Sequence, residues 1–417
     1  MHLIVSHPTG NKNVRAVISS LFRQDMLEEF NTTIAASHDS LYLKILSAKI
    51  RNEFLRRSFE LPKDKIITHP WPEIARMIMP KIGLGSLVHH EKSFASIYSV
   101  YRKLDLVTAS RLTKKFVSKG HSAVYAYEDG AFHTFTSAKR LGLKCIYDLP
   151  IAFWETGRKL LKEEAERLPY WACTLGGGIN DSGEKLKRKT EELEMADMIV
   201  TPSHFVSHSL PDWTKDKIIH VAPFGSPMIQ SSKRSSQEKT KTPDRALRVL
   251  FAGSMSQRKG LGDLFTAIRL LPKSSVELVV MGSLSAPMEF YRKELPEFTF
   301  EAGRPNDEVL ALMSSCDVFC LPSIVEGRAL VIQEAMSQGL PVIITENTGC
   351  SDMVIEGETG FLIPIRSPEA IADRLLWFLE NRSAIDSMGQ KAQNHAEKYS
   401  WDAYGNGITK AIKGIIV

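Results

Sequence analysis

Five unbroken apolar runs, each closing in a small-residue loop, constrain the second half of this chain more than any other feature. They are ALRVLFAGS (246–254), VELVVMGS (276–283), CDVFCLPS (316–323), PVIITEN (341–347) and GFLIPI (360–365). A strand that is Val, Ile and Leu throughout must be covered on both faces, which is the condition of a parallel sheet under helices. Helical patterns alternate with these runs: GDLFTAIRLL after the first, then others near 306–315, 328–338 and 368–381. Alternation of this kind builds βαβ units and a doubly wound sheet.

The first half repeats the unit less cleanly. A strand at His2–Ser6 runs into the turn-rich His7-Pro8-Thr9-Gly10-Asn11-Lys12-Asn13, and a helical pattern begins near Val14. HSAVYAYEDG (121–130), KCIYDLP (144–150), MADMIVTPSHF (195–205) and KIIHVAPFG (217–225) read as further strands with their loops. Residues 45–120 are helical in flavour and basic in places, with Lys49, Arg51, Arg56, Arg57, Lys63 and Lys65. The stretch 228–245 is rich in Ser, Lys and Thr without an apolar period, and is read as a solvated loop or linker.

Composition removes several classes. With 43% apolar and 24% charged residues over 417 positions, a disordered or fibrous chain is excluded. The net charge of +5 is too small to argue for nucleic acid, though it suits a polyanionic small molecule or an anionic membrane surface. Cys145, Cys173, Cys316, Cys320 and Cys350 match no metal or CxxC spacing and are expected as reduced thiols. The start MHLIVSHPTG lacks a basic region and a cleavage site, so no signal peptide is expected. No window approaches the ~18 apolar residues of a membrane span. The expectation is a cytoplasmic protein, with peripheral contact on the inner membrane face left open.

Ligands of doubly wound sheets sit beyond the carboxyl ends of the strands. After the strand at 246–254 comes Gly253-Ser254-Met255-Ser256-Gln257-Arg258-Lys259-Gly260. Small residues admit a close ligand, and the two cations can neutralise a diphosphate. An exposed basic turn is the plain alternative. After the strand at 316–323, Glu326 precedes Gly327 at an expected helix start, and Glu334 follows a little over two turns later. Free N–H groups near Gly327 form an anion site there. Glu326 can meet a sugar hydroxyl and Glu334 ribose hydroxyls, or both can be ordinary helix glutamates.

PSIVEGRALVIQEAMSQGLPVI (322–343), with seven residues between its glutamates, resembles the signature of retaining GT-B glycosyltransferases of family 4, the group 1 glycosyl transferases. FAGSMSQRKGL resembles the phosphate loop of the same family, and TGFLIP and the late SW pair fit it in order. The resemblance covers most of 217–401. It implies two facing Rossmann-like domains of α/β class with a cleft between them, and a last helix crossing back to the first domain. The domains are then 1–215 with helix 402–417, for the acceptor, and 216–401, for the nucleotide sugar. It implies a UDP- or GDP-sugar donor, a glycan or lipid-linked acceptor, and no nucleic-acid partner. Arg258 and Lys259 match the diphosphate cations, Glu326 the donor-sugar glutamate and Glu334 the ribose glutamate. Gly327, Arg328, Ala329 and Leu330 match the backbone amides beside the phosphate and sugar, and Gly10 sits in the matching N-terminal glycine loop.

The chain departs from the pattern in three places. Arg328 replaces the usual aromatic or apolar residue, and either adds a cation near the sugar or acceptor or points to solvent. Tyr147-Asp148 stands where many relatives carry a histidine; Asp148, Glu128 or Asp129 then either faces the cleft or caps a helix. The N-terminal loop lacks paired glycines, leaving Asn11, Asn13 and Arg15 as donors, with His7 read as structural. Asp-x-Asp is absent, so metal independence is expected, with fixed cations and a helix N-terminus offsetting leaving-group charge. Trp71, Trp154 and Trp171 and the basic pieces at 49–65 suit a sugar or a membrane-surface acceptor, or a packed helical region.

The implied activity is retaining transfer to an acceptor in surface polysaccharide or glycoconjugate synthesis, with Glu326, Arg258, Lys259 and Asp148 as the reacting set. A nicotinamide oxidoreductase is disfavoured because GLGDLF (260–265) and GLGSLV (83–88) both lack the third glycine. A non-hydrolysing sugar-nucleotide epimerase lacks the glutamate spacing. A non-catalytic nucleotide-sugar-binding protein of the same fold is the remaining alternative.

Overall fold

The computed structural model describes residues 2–37, 48–113, 120–227 and 245–416. It contains two parallel sheets. The first holds β1 (His2–Ser6), β2 (Leu27–Thr32), β3 (Ile66–Thr68), β4 (His121–Tyr127), β5 (Lys144–Asp148), β6 (Met198–Thr201) and β7 (Ile218–Val221), in the order β3-β2-β1-β4-β5-β6-β7. The second holds β8 (Leu247–Ala252), β9 (Val276–Met281), β10 (Thr299–Glu301), β11 (Val318–Leu321), β12 (Val342–Thr345) and β13 (Gly360–Ile363), in the order β10-β9-β8-β11-β12-β13. The order reverses between β1 and β4 in one sheet and between β8 and β11 in the other, so each sheet opens a crevice beside its first strand.

The apolar runs of the second half lie in one core, with Val249, Leu250, Phe251, Val318, Phe319 and Ile343 fully buried. The first sheet has a core on each face. Leu3, Val5 and Tyr125 point to one side, Ile4, Val124 and Tyr147 to the other. That is the alternation expected of a strand covered twice.

β2, β3 and β10 are not marked by apolar runs. β2 reads LEEFNT because its two glutamates meet cations: Glu29 accepts from Arg111 Nε at 2.6 Å, and Glu28 lies 3.7 Å from Lys65 Nζ. β3 and β10 are three-residue edge strands, too short to show a period. β7 pairs with β6, so the first sheet takes in Ile218–Val221, past the division expected at residue 215. The charged stretch 228–244 lies outside the described residues.

Two of the connections between the domains, among the described residues, bear on the site. The segment 224–226 meets the start of the last helix, Trp401–Ile416: a Cβ on Gly225 would lie 2.3 Å from Trp401 N. That helix returns to the first domain, where Tyr404, Ile408 and Ile412 enter its core and Thr409 Oγ1 bonds Ser20 Oγ at 2.9 Å. The second connection is a finding of the fold alone. The later part of helix Trp154–Arg167 and the turn Pro169–Thr174 follow β5 in sequence but seat on the second domain, through Glu164, Arg167 and Trp171. Trp171 is buried in the second domain's core, which removes it as an acceptor contact. Trp154 donates to Thr190 Oγ1 at 3.1 Å, whereas Trp71 is exposed. All five cysteines are free thiols, four of them buried.

Candidate functional site

The loop after β8 must fold back over the loop after β11, and a glycine permits it. Gly260 has φ +76, and a Cβ there would sit 2.1 Å from Pro322 O. Ile324 N donates to Arg258 O at 2.9 Å, which fixes the two loops against each other. The short turn Gln257–Lys259 thereby aims its two cations at Glu326. Arg258 donates to Glu326 Oε1 at 2.7 Å and to Val325 O at 3.0 Å, and Lys259 Nζ lies 2.6 Å from the same Glu326 oxygen. The aliphatic stem of Lys259 lies beside Gly253, whose added Cβ would be 3.5 Å from Lys259 Cε. Burial holds the Lys259 ammonium below its ordinary range, and Glu326 opposes that shift. Two cations on one carboxylate leave a net positive site.

Helix Leu330–Ser337 starts just beyond. Glu326 N donates to Asn347 O at 3.1 Å and Ala329 N to Thr348 O at 3.0 Å, so these two amides are spent. The N–H groups of Gly327, Arg328, Leu330 and Val331 have no acceptor among the described residues. Four open N–H groups at a helix start beside Arg258 and Lys259 form an anion-binding concavity. On the same helix Glu334 is partly exposed and accepts from Asn306 Nδ2 at 3.0 Å. Burial pushes its carboxyl up, while the Lys12 ammonium draws it down. Lys12 opens helix Lys12–Arg23 of the first domain, so the loop after β1 faces Glu334 across the cleft.

Arg328 takes neither expected role. Its side chain is fully buried; it donates to Asp352 Oδ1 at 2.7 Å and to Gly349 O at 3.0 Å, and it lies over the Tyr399 ring. The guanidinium is a brace inside the second domain, and only its backbone amide is open. Gly253 and Ser254 are part-exposed beside the cations, with Ser254 Oγ 3.2 Å from Ser256 Oγ. Gly10, in the loop after β1, packs on the segment 56–59: its added Cβ would meet Arg56 O and Phe59 at 3.3 Å.

The carboxylates after β4 and β5 divide. Glu128 is buried and accepts from Lys189 Nζ at 2.8 Å; Asp129 sits at φ 67 within reach of Arg188 and Lys185. The helix after β4 is capped instead by residues the sequence reading overlooked. Glu192 takes Ala131 N and Phe132 N at 3.1 Å, and Asp105 takes His133 N and Thr134 N at 2.8 Å. Asp148 ends β5 and is buried; desolvation raises its carboxyl to about 7, with the Tyr125 hydroxyl opposing and Glu128 adding. His7 is buried and pushed down to about 3 by desolvation, with Thr9 N donating to its Nδ1 at 3.2 Å. It is a neutral structural ring.

Further positioning residues lie in the second interdomain connection. Gln257, next to the cations, takes Thr174 Oγ1 on its N–H at 3.0 Å and donates to Glu164 Oε1 at 2.7 Å. Arg366 donates to Glu164 at 2.8 Å, and Arg167 lies 2.7 Å from Asp263. Across the cleft Ser203 Oγ donates to Gly327 O at 2.7 Å. Only the adjacency of Gln257 to Arg258 marks any of these in the sequence. One further group, His90, Glu91 and Asp181, brings three possible metal ligands together, but Lys185 Nζ sits 2.9 Å from Asp181 Oδ1.

Residues 232–395 match the family model of the glycosyl transferases, group 1. A D-inositol 3-phosphate glycosyltransferase of Corynebacterium glutamicum is 30% identical over 241 residues, 54% of this chain and 55% of the relative. Sulfoquinovosyl transferase SQD2 of Arabidopsis thaliana is 29% identical over 180 residues, 42% of this chain and 35% of the relative. The chain thus spans about half, or less, of the length of these curated relatives. Among solved structures, sucrose-phosphate synthase of Thermosynechococcus elongatus superposes with a TM-score of 0.64 at 15% identity, covering 100% of this chain and 99% of that one. Anabaena HepE in complex with UDP-glucose superposes at 0.60 and 15% identity, covering 99% and 100%. At such identities the likeness establishes the shared two-domain GT-B fold. Taken with the loops after β8 and β11, these matches show that the second half of the chain is similar to the group 1 glycosyl transferases, on a two-domain GT-B fold.

Proposed function

We propose that the chain transfers a sugar from a nucleoside-diphosphate sugar to a glycan or lipid-linked acceptor, with retention at the anomeric carbon and without a metal. The observation that carries this is the convergence of Arg258, Lys259 and Glu326 beside the open amides of the 327–331 turn. The diphosphate sits on the two cations and the amides. Glu326, released from them, takes a hydroxyl of the donor sugar, and Glu334 takes the ribose. UDP is the favoured donor nucleotide, since the Anabaena protein is solved in complex with UDP-glucose.

In the proposed step the bond from the anomeric carbon to the diphosphate oxygen breaks. The acceptor oxygen bonds that carbon on the same face, and its proton passes to the departing diphosphate. Positive charge fixed before the reaction stabilises the leaving group at no reorganisation cost. Gly10, Asn11 and Asn13 border the acceptor side, with Asp148 as its candidate carboxylate. A role in cell-surface glycan assembly is part of this reading.

A thermal-shift panel of UDP, GDP, ADP and their sugar conjugates, run with EDTA, tests the proposal. A ligand at 100 times its Kd stabilises by about 2.7 kcal/mol. Stabilisation by one nucleotide family, with turnover that survives EDTA, is expected. No shift with any nucleotide would return the chain to the non-catalytic alternative, and turnover abolished by EDTA would refute metal independence.

A further inference from the structure

Exposed apolar side chains are unevenly spread over this molecule. Of the fifteen large hydrophobic residues that are exposed among the described residues, seven fall between 71 and 97. Trp71 and Ile78 lie on helix Trp71–Ile78, and Trp71 is 78% exposed. Ile82, Leu84 and Leu87 follow on two short turns, then Phe94 at 68% and Ile97 at 56%. These pieces form one excursion between β3 and helix Ile97–Arg111, with Leu84 N donating to Met79 O and Ala95 N to Leu87 O.

Charge concentrates in the same place. Residues 49–103 carry eleven Lys and Arg against five Asp and Glu, an excess larger than the +5 of the whole chain. Lys81, Lys92, Arg102 and Lys103 are exposed. Both carboxylates within 71–97 turn inward. Glu73 is buried under Arg57 at 2.9 Å and Arg76 at 2.7 Å, and Glu91 accepts the Ser182 N–H at 3.1 Å. The excursion therefore exposes apolar tips and positive charge together.

We infer that this excursion docks the protein on an anionic lipid surface. An aromatic and aliphatic set seats in the headgroup–acyl boundary, and the surrounding cations hold the phosphates. A second copy of the chain fits poorly, because a twofold contact would place like charges against each other. The basic pieces at 49–65, considered from sequence for the same role, add charge, whereas the exposed apolar side chains among the described residues of this region fall at 71–97. The surface is also wired to the cleft. Arg57, which pairs with Glu73, belongs to the segment packed on Gly10, and Asp105 of helix Ile97–Arg111 holds the loop after β4. Docking here brings the acceptor side of the first domain to the membrane. The inference deepens the proposed function by naming where a lipid-linked acceptor is met.

Vesicle co-sedimentation of the full chain tests it, with phosphatidylcholine alone and phosphatidylcholine mixed with phosphatidylglycerol. Binding to the anionic vesicles only is expected, falling steeply near 1 M salt, where the Debye length is about 3 Å. A triple variant Trp71→Ser, Ile82→Ser, Phe94→Ser should lose about tenfold or more of that partition. Because these side chains are exposed, its melting temperature and its nucleotide-induced shift should match those of the parent. Equal binding to neutral vesicles, no binding to anionic ones, or an unchanged triple variant would overturn the inference. So would a dimer that the same substitutions dissociate. Vesicle binding without any nucleotide shift would leave the surface standing and remove the proposed transfer.

Discussion

Gly327→Ala isolates the meeting of the two domains from donor binding. The backbone at Gly327 is not left-handed, so alanine brings no conformational strain of its own. Its Cβ would, however, sit 1.7 Å from Pro150 O and 3.1 Å from Ile151 Cα, both in the first domain. Ordinary contact begins at 3.4 Å, so the two loops must part by about 1.7 Å. The least costly relief is a slight opening of the cleft. That breaks the Ser203–Gly327 hydrogen bond and wets both groups, a loss of about 0.5–1.5 kcal/mol. Reacting groups misplaced by about 1 Å can lose ~100-fold in rate. Arg258, Lys259 and Glu334 all lie in the second domain and stay in place. We therefore expect kcat to fall about 100-fold while nucleotide affinity, read by thermal shift, holds. Nucleoside diphosphate release under saturating donor is the assay. Unchanged turnover would show that closure at Gly327 is irrelevant. A parallel loss of nucleotide affinity would show that the alanine displaces the 327–331 amides themselves, and would refute the separation of closure from donor binding.

Three further outcomes are expected. Lys259→Met keeps the stem beside Gly253 and leaves Arg258 on Glu326, so steady-state kinetics should show a ~100- to 1000-fold loss of kcat without a large change in stability. Arg328→Met should destabilise in urea unfolding by at most the ~3–5 kcal/mol of a broken buried pair, since Asp352 is 30% exposed and can rehydrate. Its nucleotide-induced shift should persist; lost nucleotide binding at full stability would put the guanidinium on the ligand instead. Asp148 binds its proton more tightly folded than unfolded, at about 7 against an ordinary 3.8. Its contribution to stability is full below the unfolded value and fades as pH rises to about 7. At ~1.4 kcal/mol per tenfold in proton affinity, this is a few kcal/mol that Asp148→Asn should remove from the pH dependence between those values. An unaltered slope in the variant would refute the buried-carboxyl account.

The β8, β9, β11, β12 and β13 strands are legible because each is buried on both faces and must be apolar. The loops after them are legible because small residues, adjacent cations and a glutamate follow the strands directly. Arg258, Lys259, Glu326 and Glu334 could therefore be named as candidates from the sequence, and the structure brings Arg258 and Lys259 onto one Glu326 oxygen. β2 escapes because its glutamates are neutralised by Arg111 and Lys65, which lie far away in the chain. Arg328 was misread for the same kind of reason. A charged residue beside a ligand loop looks available until Asp352, Gly349 and Tyr399 are seen around it.

By itself, then, the order of residues determined the parallel α/β architecture, the family resemblance and the candidate cations and glutamates of the proposed donor site. Those features rest on local periodicity and on groups close together along the chain. Tertiary structure alone decided that Trp154–Thr174 would leave its own domain to brace Gln257, and that Trp171 would enter the second core. It also decided that both carboxylates of 71–97 would turn inward, onto Arg57 and the Ser182 N–H, while seven large apolar side chains stay exposed. Each of these depends on partners tens to hundreds of residues away, and burial and charge pairing are set by which distant groups the fold brings within a few ångströms.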